Sequence, residues 1–188
     1  YTIRRSFTLF VQLAASAKFA SLFGQKTIDN QLFSDLLRLA LFCGILAPAI
    51  FIPLTRPTAR WFGATKQIED EGYEYIFPLL MSTIVPCLYL HLCGCLQAEG
   101  RAWTFCIFQV SSMILNMLFF APFFLLICKT GIAGVSYATI CAELIPSIVL
   151  FVLYYRGKHF TIKPKLRDLF KKFSSNFLSS VSIGISQL

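Results

Sequence analysis

Residues 102–155 read AWTFCIFQVSSMILNMLFFAPFFLLICKTGIAGVSYATICAELIPSIVLFVLYY, and along this stretch only Lys129 and Glu143 carry charge. Crossing a hydrocarbon layer of about 30 Å takes roughly 20 apolar residues in a helix. The stretch supplies two such runs, 27 residues at 102–128 and 26 at 130–155. Upstream, residues 75–98 add 24 more with no charge at all. An open strand in lipid leaves backbone donors and acceptors unpaired, so these runs are read as helices. Of the 188 residues, 56% are hydrophobic and only 14% charged, against about 25% charged in an ordinary soluble domain. The sequence therefore describes an all-α polytopic membrane protein and excludes a disordered or ordinary soluble chain.

Six hydrophobic elements are expected, at about 6–23, 36–54, 75–98, 102–128, 132–155 and 173–188. The last reads as an apolar run cut short, and no signal-peptide pattern is visible, so a piece of a longer transporter is expected. Its organisation is read as a partial lobe over 1–155, a basic connection at 156–172, and the start of a second lobe at 173–188. Arg56–Phe62 is expected to form a short interfacial helix with Trp61 at headgroup level.

Charge is concentrated in the connection 156–172, which holds seven Lys and Arg against Asp168 alone. Counted on alternating sides, nine basic residues fall on the side of loops 24–31, 99–101 and 156–172, and four on the other. The positive-inside tendency then places those three loops in the cytoplasm. This loop is also a candidate for anionic headgroups, although a topology signal alone explains it. The net charge of +8 needs no nucleic-acid partner.

Seven cysteines lie in apolar runs at spacings that match no zinc pattern, and they read as small hydrophobes. Six prolines (Pro48, Pro53, Pro78, Pro86, Pro122, Pro146) fall within spans and are expected to kink them. His91 sits alone on an apolar face and reads as a packing residue. Gly131–Gly134 lacks the lysine and strand of a phosphate loop and suits a close approach through small residues. No Ser/His/Asp, Cys/His or metal-ligand arrangement stands out, so an enzyme is not expected.

Polar groups inside lipid are costly, so those present usually face protein or water. Gln109, Ser112 and Asn116 are spaced by three and four, which places them on one helical face. Ser136, Thr139 and Glu143 repeat that spacing on the next helix. Two polar stripes on helices joined by a tight turn can share a cavity. Glu143 lies 11 residues past Ile132, roughly 17 Å along a helix rising about 1.5 Å per residue. A carboxyl group at such depth can carry a proton or hold Na⁺ beside hydroxyl and amide oxygens, or act as a protonated structural hydrogen-bonder. For Asn116 a plain helix–helix hydrogen bond is the competing reading.

Several segments, read in order, resemble the multidrug and toxic compound extrusion (MATE) transporters. They are Ala14-Ala15-Ser16 with Ser21-Leu22-Phe23-Gly24; Trp61-Phe62-Gly63-Ala64-Thr65 followed by Tyr73 and Tyr75; Leu96-Gln97-Ala98-Glu99-Gly100-Arg101; Leu115-Asn116 with Pro122; and Ile183-Gly184. The most specific is the run Gly131 to Thr139, GIAGVSYAT. Together they cover nearly the whole chain.

The resemblance implies twelve helices in two six-helix lobes, with this chain running from helix two to the start of helix seven. It implies export of small organic, often cationic, compounds in exchange for Na⁺ or H⁺, with no cofactor, in the lipid bilayer of the plasma membrane. The remainder of the same polypeptide would be its partner. It agrees with the cytoplasmic loops set by charge. In the family's cation site, a fifth-helix asparagine matches Asn116 and a sixth-helix threonine matches Thr139.

Two departures are visible. Where the family often has an aspartate before the fifth-helix proline, Phe119-Phe120-Ala121 lead to Pro122, with one residue more than usual after Asn116. Glu143 stands where the family commonly has an uncharged residue and is a candidate to replace that acid; the alternative is coupling in the other lobe, which lies outside this sequence. The expected cation or proton site is thus Asn116, Thr139 and Glu143, with Gln109, Ser112 and Ser136 lining the cavity. The alternative is a lipid-linked oligosaccharide flippase, which would be expected to line its cavity with arginines or lysines; the spans offer little beyond Lys18 and Arg38.

Overall fold

The computed structural model describes residues 8, 12, 16–21 and 30–157, and all but short turns among them are helical. The expected elements at 156–172 and 173–188 lie outside the described residues apart from Arg156 and Gly157, as does most of 6–23.

Helix α1 spans Asn30–Trp61 and carries Pro48, Pro53 and Pro57 inside it. It is longer at both ends than the expected 36–54. The segment from Arg56 is no separate interfacial helix but the last turns of the same rod. Thr55 and Thr58 donate their hydroxyls to the carbonyls of Phe51 and Leu54 at 2.8 and 2.6 Å, the kind of side-chain bond that lets a membrane helix tolerate prolines. Trp61 and Phe62 end the rod fully exposed, with their rings 5.2 Å apart.

The run 75–98, expected to be one helix, is two. Helix α2 covers Lys66–Met81 and helix α3 covers Ile84–Ala98, bent by 49° at the break. Pro86 lies in the first turn of α3 and has no amide proton for the carbonyl one turn back. The Ser82 carbonyl accepts from the Val85 amide at 2.9 Å, and the Thr83 hydroxyl donates to the carbonyls of Leu80 and Leu79 at 2.7 and 3.2 Å. Gly44 of α1 packs on the bend so closely that a Cβ there would lie 2.6 Å from the Ile84 Cα.

Glu69, Asp70 and Glu71 lie in the opening turns of α2, where a helix favours negative charge. Glu69 is buried and takes two hydrogen bonds from Arg60, 2.8 Å from Nε and 3.0 Å from Nη2. Arg56 lies 3.5 Å from Asp70 and 4.6 Å above the Tyr73 ring. These contacts clamp the end of α1 to the start of α2.

The span 102–127 begins as α4, Ala102–Ile114, and continues in wide π-helical turns, Leu115–Phe120 and Phe123–Ile127, on either side of Pro122. Helix α5, Ile132–Arg156, follows the turn. Gly134 sits against the Thr130 hydroxyl and the Phe124 main chain, which a larger residue would displace. The small-residue approach expected at Gly131–Gly134 is therefore made within this turn.

Among the described residues, three helices are long and apolar enough to cross a membrane, and the bent α2–α3 pair makes a fourth. The core lies where α1, α3 and α5 meet, around Phe33, Leu92, Leu96, Leu150 and Tyr154. His91 is fully buried there, 5.2 Å from the Phe33 ring and 6.4 Å from the Phe19 ring. Cys43, Cys87, Cys93 and Cys95 are buried as expected of small hydrophobes, whereas Cys106 and Cys128 are exposed on the 102–128 run.

Candidate functional site

The polar stripe of the 102–127 span meets that of α5 along one line of contacts. Ser112 donates to the carbonyl of Ala142 at 3.0 Å. One turn further, the Asn116 amide donates to the Thr139 hydroxyl at 3.4 Å, and that hydroxyl donates to the Val135 carbonyl at 3.0 Å. Both helices run back from the same tight turn, so their polar stripes lie side by side.

These contacts form one wall of a cavity of about 410 Å³. Gln109, Ser112, Asn116, Thr139 and Glu143 all line it. Five of the six residues expected from the sequence are thus brought together, although they lie in two stretches of the chain. A volume in this range suits a drug-sized ligand.

Ser136 is the exception. It is fully buried and donates to the Tyr75 carbonyl on α2 rather than lining the cavity. It shares a helical spacing with Thr139, but sits at the edge of that face that α2 covers. Its role is to fasten α5 to α2.

The sequence reading missed the opposite wall. Tyr89 of α3, buried, donates its hydroxyl to the Gln109 side-chain carbonyl at 3.2 Å. Gln12 also lines the cavity and donates to the Gln97 side chain at 3.1 Å, tying the N-terminal segment to the end of α3. Pro86 and Leu90 complete this wall, and Met113 and Met117 flank Asn116. Tyr89 escaped notice because a tyrosine in an unbroken apolar run gives no spacing signal. Gln12 lay in the element whose hydrophobic pattern is least regular.

The wide turn after Asn116 has a structural consequence. The Ala121 amide bonds back five residues to the Asn116 carbonyl, instead of four. One extra residue is absorbed between Asn116 and Pro122, so Asn116 stays on the cavity face while Phe119 turns outward, 62% exposed. π-helical turns of this kind are frequent at functional sites.

No protein-family model matches this sequence, and no curated protein matches it. Solved structures do. A MOP superfamily transporter from Pyrococcus furiosus Vc1 superimposes with a TM-score of 0.87 at 20% identity, over 97% of this chain and 40% of that one. An outward-facing multidrug resistance MATE family transporter of the same superfamily gives 0.86 at 20% identity, over 98% and 42%. An inward-facing one gives 0.84 at 20% identity, over 96% and 41%.

The chain has the MATE fold.

It spans about two fifths of the length of the MATE structures it matches. It superimposes with similar scores on an inward-facing and an outward-facing MATE structure, 0.84 and 0.86.

Proposed function

We propose that this chain is most of the N-terminal lobe of a secondary active MATE transporter, exporting small organic cations in exchange for Na⁺ or H⁺. The observation that carries this reading is the convergence of two polar helical stripes on one cavity whose lining, among the described residues, holds a carboxylate, Glu143, and no lysine or arginine. A cavity of that polarity suits a cation. It does not suit the phosphate of a lipid-linked oligosaccharide, so the antiporter is preferred to the flippase.

In this reading Asn116, Thr139 and Glu143 form the coupling site. Thr139 donates its hydroxyl hydrogen bond to the Val135 carbonyl, and Asn116 donates from its amide nitrogen to Thr139. Both retain an oxygen able to accept, and both line the cavity that Glu143 lines. Oxygen ligands of this kind suit a hard cation, and an ionisable carboxylate suits a proton. Glu143 takes the part of the carboxylate that Phe119-Phe120-Ala121 do not supply. The lobe would rock as one body against the remainder of the protein. The cytoplasmic placement of loops 24–31, 99–101 and 156–172, and the plasma membrane, belong to the same proposal.

The test is reconstitution of the full-length protein in liposomes, with organic-cation efflux followed under imposed Na⁺ and pH gradients. Gradient-driven efflux supports the antiporter. Movement of a lipid-linked oligosaccharide, with no gradient-driven efflux of cations, would replace it with the flippase.

A further inference from the structure

A second groove, of about 270 Å³, runs between the end of α1 and the start of α2 and shares no lining residue with the polar cavity. Phe62 and Ile68 stand at its mouth, where Trp61 marks headgroup level, and Phe51, Leu54, Ile76 and Leu79 line its depth. Phe62 and Phe51 are eleven positions apart, about 16 Å along a helix. The groove thus follows α1 from the membrane surface into the hydrocarbon. Thr55 and Thr58 in its wall spend their hydroxyls on the carbonyls of Phe51 and Leu54, and the buried Glu69 is met by Arg60. The depth is left apolar.

Gly72 is an independent sign that something fills this space. It lies inside α2, where a glycine weakens a helix relative to alanine. No positive φ requires it. Unlike Gly44, it serves no close approach, because a Cβ there would meet nothing within 4 Å. What it does is leave the groove open along α2. At the mouth the charges are of both signs: residues 56–74 hold three basic and four acidic side chains. Arg56 and Arg60 keep guanidinium N–H groups beyond those directed at Asp70 and Glu69, and Asp70 is largely exposed. Such a balance gives an anionic headgroup no net attraction and suits one that carries both charges.

We propose that this groove binds a zwitterionic phospholipid, with one acyl chain along Gly72 toward Phe51, its phosphate beside Arg56 and Arg60, and its amine beside Asp70. Guanidinium groups are well matched to phosphate oxygens. The acyl chain replaces the side chain that Gly72 lacks and packs α1 against α2 below the ion pairs. The site is separate from the export cavity and does not depend on what that cavity carries.

The test uses the purified full-length protein in detergent with a phosphatidylethanolamine whose acyl chain ends in a photoreactive diazirine. Labelled peptides are mapped by mass spectrometry. Saturable labelling is expected within residues 51–59 and 72–80, competed better by unlabelled phosphatidylethanolamine than by phosphatidylglycerol. Gly72→Leu fills the groove and is expected to lower that labelling about tenfold or more, since excluding two methylenes from an apolar site suffices for this. Gly72→Ala leaves most of the room and is expected to stay within about twofold of wild type. If Gly72→Leu fails to fold, the mapped position and the competition in the wild type decide. Labelling that does not saturate, that falls only elsewhere, or that persists in folded Gly72→Leu overturns the site. Stronger competition by phosphatidylglycerol overturns the zwitterionic headgroup.

Discussion

The Asn116 amide reaches the Thr139 hydroxyl across 3.4 Å, although 23 positions separate them in the chain. This contact joins the two polar stripes on the wall of the cavity that Glu143 also lines. Losing one such interhelical hydrogen bond in a membrane protein costs about 1 kcal/mol. Asn116→Ala is therefore expected to leave the protein folded and to raise the half-saturating concentration of the coupling ion several-fold. An ion titration of efflux checks this. An unchanged half-saturation would remove Asn116 from the site.

The wide turn between Asn116 and Pro122 depends on residue count, not on side-chain identity. Deleting Phe119 restores an ordinary helix and turns Asn116 by roughly 100° relative to everything beyond it. Ion dependence is expected to collapse in the deletion. Phe119→Ala keeps the count at an outward-facing position and is expected to keep efflux within about twofold. Equal effects of the two changes would show that the wide turn positions nothing.

Gly44 admits the bend between α2 and α3 because a Cβ would meet the Ile84 Cα at 2.6 Å. The main chain cannot swing aside as a side chain can. Gly44→Ala is expected to destabilise the protein by about 1–3 kcal/mol, as other overpacking changes do, and to lower Tm in detergent accordingly. An unchanged Tm would mean that the two helices separate freely.

Arg60 and Glu69 are unequal partners, since the arginine side chain is 67% exposed and the carboxylate 5%. Removing the exposed partner strands a buried charge, whereas removing the buried one leaves a guanidinium that water can solvate. Arg60→Ala is expected to lower Tm more than Glu69→Gln, and the double change to recover part of the loss. Thermal unfolding of the three variants gives the order, and the reverse order would contradict it.

Much of this site was legible in the sequence because helical spacing turns polar residues three and four apart into a face. Gln109, Ser112, Asn116, Thr139 and Glu143 were found that way. The same rule misplaced Ser136, because spacing defines a face but not which neighbour covers each edge of it. Tyr89 and Gln12 were missed because the far wall is set by tertiary packing, which one helix's periodicity cannot report. The break at Ser82-Thr83 was hidden inside a charge-free run whose prolines signalled a kink without saying whether the helix resumes in line. The start of α2 at Lys66, ahead of the expected 75, was hidden because its first turns carry acids, which Arg60 and Arg56 hold.

The most direct measurement is gradient-driven efflux by Glu143→Gln in the reconstituted full-length protein. Export by the wild type should rise with an imposed Na⁺ or proton gradient, and in the variant that dependence should be flat or absent while the protein remains folded. Coupling unchanged from wild type would contradict the assignment of Glu143 and place the coupling carboxylate elsewhere in the protein.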